Sequence, residues 1–202
     1  EEVGREVPTV VVIGAKKQGT AMKVQSIFAN KYFRPYISPD RKSIELGGSL
    51  KNVIALAAGI IDGLGFGDNT EAALITRGIK EITNLGTKMG GHSRTFNGLS
   101  GIGDLIVTCN SKHSRNRRAG VLIGKGYTLK EAVDEVKMVV EGAVSAKAAL
   151  ALAKKYEVDM PIVEAVNEVL FHDKSAEEAM WELMEREHTN EFMDLEWDET
   201  IQ

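Results

Sequence analysis

Residues 44–64 read Ile44-Glu45-Leu46-Gly47-Gly48-Ser49-Leu50-Lys51-Asn52-Val53-Ile54-Ala55-Leu56-Ala57-Ala58-Gly59-Ile60-Ile61-Asp62-Gly63-Leu64. Leu46, Leu50, Val53, Ile54, Ala57, Ile61 and Leu64 recur at helical spacing. The glycines at 63, 65 and 67 stop the helix. It is apolar on nearly every side, as a core helix is. Its longest uncharged apolar run, Val53 to Ile61, is nine residues, so no span of a bilayer is expected.

Downstream the pattern stays helical. Asp68-Asn69-Thr70 can cap a helix running from Thr70 to about Met89, which Gly90-Gly91 ends. Leu99 to Cys109 is a short apolar stretch between Gly-rich loops. Helices follow over Arg115 to Gly124, from Thr128 to about Lys137, over Gly142 to Tyr156 and over Pro161 to Phe171. Thr128-Leu129-Lys130-Glu131 has capping-box spacing, as does Ser175-Ala176-Glu177-Glu178 ahead of a helix to Glu187. The acidic end, Glu191 to Gln202, is expected to fray. Upstream the grammar differs. Residues 7–15 are a β-branched run suited to a strand buried on both faces. Thr20 to Asn30 has helical spacing with Thr20 as N-cap, and residues 33–38 look extended, with Pro35 pointing to an edge. Pro39-Asp40 signals a turn. The expected fold is therefore mainly α: a helical domain over 41–202, preceded by a strand–helix–strand unit over 1–40.

The chain has 202 residues, 43% hydrophobic and 27% charged, enough to build a core. With 25 Lys+Arg against 29 Asp+Glu, its balance argues against nucleic acid as a partner. A single cysteine, Cys109, excludes an internal disulfide. His92, His113, His172 and His188 are too scattered for a metal cluster, so no metal is expected. The opening residues carry no signal-peptide pattern, so no signal peptide and a cytoplasmic location are expected. Thirteen of the 20 glycines fall between 47 and 103, which suits either tight helix packing or a backbone approached closely by a ligand.

Several residues stand out chemically. Lys51 lies in the apolar helix and must pair, snorkel or change its pKa. The plain reading is a snorkelling lysine; the sharper one is a general acid–base group. Asp104 is a lone carboxylate in an apolar stretch, costly unless partnered. Lys51 is a candidate partner, and Thr108 is one helical turn away; helix capping is the plainer role for the carboxylate. Ser114-Arg115-Asn116-Arg117-Arg118 suits a small phosphorylated ligand, though such clusters also form solvated helix faces. Gly63-Leu64-Gly65-Phe66-Gly67-Asp68 has the wrong spacing for a dinucleotide turn and follows a helix rather than a strand.

Six segments in order carry a family resemblance: Ile44 through Asn52, Asp62 through Thr70, Gly101 through Cys109, Ser114 through Arg117, Val139-Val140-Glu141-Gly142 and Met160-Pro161-Ile162. Together they closely resemble the bacterial NAD(P)-dependent sn-glycerol-3-phosphate dehydrogenases, over the chain up to about residue 193. The resemblance implies an oxidoreductase that interconverts dihydroxyacetone phosphate and sn-glycerol 3-phosphate with NAD or NADP. Its product would feed glycerophospholipid synthesis. It implies an N-terminal Rossmann domain, of which 1–40 would be the end, and a helical substrate domain over 41–202. It further implies Lys51 as the proton donor or acceptor at the substrate C2 oxygen and Asp104 as its partner. Ser114, Arg115 and Asn116 would be substrate ligands, with Asn52 and Thr108 as further substrate-binding candidates. Arg115, Val139 and Glu141 would contact the cofactor. The family's G-x-G-x-x-G turn and second lysine have no counterpart here. The chain is thus expected to be a fragment or processed form, nearly inactive alone and partnered by a Rossmann half. A homodimer is a further expectation. The competing reading is a non-catalytic helical module for dimerisation or metabolite binding.

Overall fold

The computed structural model describes residues 2–187, 190 and 191. His188 and residues 192–202, most of the stretch expected to fray, lie outside them.

The chain opens with strand β1 (Thr9–Gly14), helix α1 (Gln18–Phe28) and strand β2 (Phe33–Ser38). The strands pair in parallel, from Thr9 opposite Phe33 to Gly14 opposite Ser38, and α1 makes the crossover that parallel pairing requires. The Thr9 N–H donates to the Tyr32 carbonyl at 2.7 Å and the Ala15 N–H to that of Ser38 at 3.1 Å. Even-numbered residues of β2 therefore face β1, and Pro35 turns its nitrogen to the open edge. The expectation of a strand buried on both faces fails. Val10 is 47% exposed, and Met22, Ile27, Phe28 and Tyr36 are exposed with it. A β-branched run is adapted to being covered, but within the described residues only part of its surface is. Thr20 is not an N-cap either: α1 begins two residues earlier, behind Lys17, which makes no side-chain cap.

Helix α2 (Arg41–Gly63) is the axis of the rest. Asp40, read from sequence as part of a turn, is its N-cap and accepts from the Ser43 N–H at 3.1 Å. Its other oxygen accepts from the Thr95 hydroxyl at 2.7 Å. Burial alone would raise the Asp40 pKa, but these bonds outweigh it and hold the carboxyl below its ordinary value. Helix α3 (Asp68–Lys88) starts at Asp68 behind Gly67, so Asp68-Asn69-Thr70 is its first turn rather than its cap. There Asp68 and Glu71 still suit the helix dipole. A short helix α4 (Ser93–Phe96) and a π-helical turn (Leu99–Gly103) lead into α5 (Asp104–Asn110). Then come α6 (Arg115–Gly124), α7 (Leu129–Val136), α8 (Glu141–Tyr156), α9 (Pro161–Phe171) and α10 (Ala176–Met184), the last ending short of the expected Glu187. The capping box of Thr128 and Glu131 is present. Ser175 accepts from the Glu178 N–H at 3.0 Å.

From Asn52 to Ile61 every residue of α2 is buried. The nine-residue apolar run understates α2, which by length and composition could cross a membrane; 67% of its most apolar window is buried inside the protein, where α3, α5, α6, α8 and α9 surround it. Glycines set the closest of these contacts. A Cβ on Gly59 would lie 2.0 Å from the Arg117 carbonyl oxygen, and one on Gly120 would lie 2.1 Å from that of Leu56. Gly63 and Gly124 repeat this one turn further along, so α2 and α6 meet backbone to backbone. Gly86 and Gly101 make room for the fully buried Phe96, which anchors the turn ahead of Asp104. Helix packing thus accounts for much of the glycine density.

Candidate active site

Two adjacent polar clusters form on α2, because Lys51 and Asn52 are consecutive and point to different neighbours. On one side the Lys51 ammonium pairs with the Asp104 carboxylate. Asp104 is the first residue of α5, where a carboxylate suits the helix N-terminus. The Thr108 hydroxyl, one turn on, donates to the Asp104 carbonyl at 2.6 Å and lies 3.4 Å from its carboxylate. The side chains of Lys51 and Asp104 are 20% and 37% exposed. A pair this open adds only about 0–1 kcal/mol to stability. Its consequence is positional: the ammonium is held at the protein surface within reach of a ligand.

On the other side two buried asparagines interlock. The Asn116 amide donates to the Asn52 side-chain oxygen at 2.9 Å, and the Asn116 oxygen accepts from the Gly142 N–H at 2.8 Å. That N–H lies in the first turn of α8, where helix donors lack intrahelical partners. Asn52 also donates to the Gly48 carbonyl at 3.3 Å and to Glu141 Oε2 at 3.4 Å. The other oxygen of Glu141 lies 3.5 Å from an Arg115 guanidinium nitrogen. Gly142 is required here, since a Cβ would sit 2.5 Å from the Asn52 carbonyl oxygen. The lattice fixes the start of α8, with Glu141 and the 65%-exposed Val139 before it, against the helix that carries Lys51.

Of the residues singled out from the sequence, Lys51, Asp104 and Thr108 share one cluster and Asn52, Arg115, Asn116 and Glu141 the other, and their engagements differ. The Ser114 hydroxyl caps α6, accepting from the Arg117 N–H at 3.3 Å. Asn116 is buried and committed to Asn52 and Gly142, leaving one amide N–H over. Arg117 leaves the cationic group altogether and donates to Asp62 at 2.9 Å. Arg115 remains the half-open guanidinium facing the site. Gly142 and Asp62 stand within the family segments, but the sequence reading gave them no role. Their partners lie 26 and 55 residues away, so no local pattern announces those contacts.

The family model for the C-terminus of NAD-dependent glycerol-3-phosphate dehydrogenase matches residues 40–181. The chain belongs to this family. It is 66% identical over 197 residues to glycerol-3-phosphate dehydrogenase (NAD(P)+) of Agathobacter rectalis, covering 98% of this chain and 59% of that protein. It is 57% identical over 195 residues to the Bacillus subtilis enzyme of the same name, covering 96% and 56% respectively. The chain therefore spans somewhat over half the length of the curated relatives it matches. Among solved structures, the glycerol-3-phosphate dehydrogenase of Coxiella burnetii superposes with a TM-score of 0.89 at 38% identity, over 92% of this chain and 57% of that one. The Plasmodium falciparum glycerol-3-phosphate dehydrogenase shares the fold, with a TM-score of 0.85 at 22% identity over 94% and 55%. In the dehydrogenase family the helical architecture seen here is the C-terminal domain.

Proposed function

We propose that this chain carries the substrate-binding and proton-transfer part of a dehydrogenase that interconverts dihydroxyacetone phosphate and sn-glycerol 3-phosphate. The observation that carries the reading is the partly open Lys51–Asp104 pair on the helix whose next residue, Asn52, bonds the Glu141 that pairs with Arg115. In the reducing direction the C2 carbonyl oxygen gains negative charge as the carbonyl bond becomes an alkoxide. The Lys51 ammonium stabilises that charge and gives the oxygen its proton; in the reverse direction the amine takes the proton back. Asp104 keeps the ammonium aimed, and Thr108 in turn holds Asp104. Arg115 offers forked donors to the phosphate, and binding energy from that non-reacting end fixes C2 near Lys51. Ser114 closes the turn that presents Arg115. Asn52 and Asn116 serve mainly by holding α8 in place.

A nicotinamide cofactor, NAD or NADP, would supply or accept the hydride at C2. The residues at the start of α8 suit it in kind: Val139 is an exposed apolar edge, and Glu141 is a carboxylate acceptor for amide or ribose donors. No Gly-rich strand-to-helix turn for its diphosphate occurs among the described residues.

The substrate assignment is tested by comparing dihydroxyacetone phosphate with dihydroxyacetone in the longest native chain that contains these residues. Arg115→Ala is expected to lower kcat/KM for the phosphorylated ketone by about 10²-fold or more, the loss of a charge-assisted bidentate contact. It should leave the already poor rate with dihydroxyacetone nearly unchanged. Equal losses on both substrates would remove Arg115 from the phosphate end.

A further inference from the structure

Gly48 lies in the middle of α2, where glycine weakens a helix relative to alanine. Of the glycines inside α2 to α10, the others each meet a neighbour. A Cβ on Gly47 would lie 3.1 Å from the Ser100 carbonyl oxygen, one on Gly78 would lie 2.7 Å from Ile54, and those on 59, 63, 86, 120, 124 and 142 would come closer still. A Cβ on Gly48 would meet nothing within 4 Å. Packing inside this chain therefore gives no reason for the residue.

Its position does. At about 100° per residue, Gly48 points between Lys51, about 60° to one side, and Asn52, about 40° to the other, one turn nearer the helix start. Helical side chains lean toward the N-terminus, so those of Lys51 and Asn52 reach over the turn that contains Gly48. Lys51 meets Asp104 on its side, and Asn52 meets Glu141 and, through it, Arg115 on the other. The open spot is thus the floor between the proton donor and the guanidinium.

We propose that Gly48 is a specificity-determining residue: its missing side chain leaves the surface on which a three-carbon ketose phosphate lies between Lys51 and Arg115. This deepens the function proposed above and rests on it. A ligand whose C2 oxygen reaches the Lys51 ammonium while its phosphate reaches Arg115 must cross this floor, and a single methyl group there lifts it off both.

Gly48→Ala separates this role from a structural one. It is made in the longest native chain, with the unaltered protein beside it, using dihydroxyacetone phosphate and saturating NADH or NADPH. The thermal midpoint is expected to hold or rise, because alanine is the better helix former and its methyl meets no neighbour. The kcat/KM for dihydroxyacetone phosphate is expected to fall about tenfold or more, as small misplacements of a bound substrate do, while the KM of the cofactor stays. Unchanged kinetics would overturn the proposal, and so would a rise confined to the cofactor's KM, which would assign the floor to the cofactor. A lowered midpoint would overturn it too, since another part of the protein would then occupy the space. No turnover by the unaltered chain would instead remove the reading on which the proposal rests, and the proposal with it.

Discussion

Glu81 lies buried on α3 and turns its carboxyl to the first turn of α9. Its two oxygens accept from the Ile162 N–H at 2.8 Å and the Val163 N–H at 3.3 Å. Pro161 brings no N–H and Met160 no capping side chain, so a residue from another helix does the capping. Burial is the larger influence on this carboxyl and outweighs both bonds. With Asp159 and Glu164 adding to it, burial pushes the pKa from 4.5 up to about 8. The folded chain then keeps a proton that the unfolded chain loses. The resulting stabilisation is complete below about pH 4.5, declines as pH rises, and is gone above about pH 8. The thermal midpoint should therefore fall between those limits, and Glu81→Gln should remove that part of the slope. An identical slope in the variant would mean that Glu81 is ionised in the fold. None of this was visible in the sequence, where Glu81 is one acid among 29 Asp and Glu residues and its partners lie about eighty positions on. Lys51 and Asp104 were legible for the opposite reason. Each is a charge in an apolar setting, each needs a counter-charge, and the expected partner was found.

At the scale of elements, the contact of α2 with α6 depends on two pairs of glycines four residues apart, 59 with 63 and 120 with 124. Rows of residues at that spacing form the ridges that helices pack by, and here the ridges are bare backbone. Gly120→Ala would set a methyl 2.1 Å from the Leu56 carbonyl oxygen, which no rotamer change relieves. It should cost about 1–3 kcal/mol or more, read as a lower denaturant midpoint, and it should weaken Arg115 binding indirectly because α6 carries that residue. An unchanged midpoint would show that the helices can separate freely. The glycines themselves were plain in the sequence. Whether they serve packing or a ligand was not, because their neighbours come from other helices. The two answers divide by position, with packing at 59, 63, 120 and 124 and open space at 48. Element boundaries failed where capping was read from residue type alone. Thr20 and Asp68 to Thr70 are good caps in general, but here they are already inside helices, while Asp40 does the capping for α2. In β1 the β-branched pattern correctly marked a strand, yet burial depends on what lies over it, and Val10 stays open.

At the scale of the molecule, the site is assembled from pieces far apart in sequence. The centre of α2 brings Lys51 and Asn52, α5 brings Asp104 and Thr108, α6 brings Arg115 and Asn116, and the start of α8 brings Val139 and Glu141. The buried asparagine lattice ties α6 and α8 to α2, and the Lys51–Asp104 pair ties α5 to it, so that the groups proposed as proton donor and phosphate-binding cation keep their separation. The most direct test is consumption of NADH or NADPH, followed by absorbance, on adding dihydroxyacetone phosphate to the longest native chain that contains this sequence. Lys51→Ala is assayed alongside. Consumption by the unaltered chain, with kcat lowered by about 10²–10⁴-fold in the variant and the fold intact, is the expected result. Comparable rates in the two would contradict the role given to Lys51, and no consumption with either cofactor would contradict the dehydrogenase reading and favour a helical module that binds without catalysing.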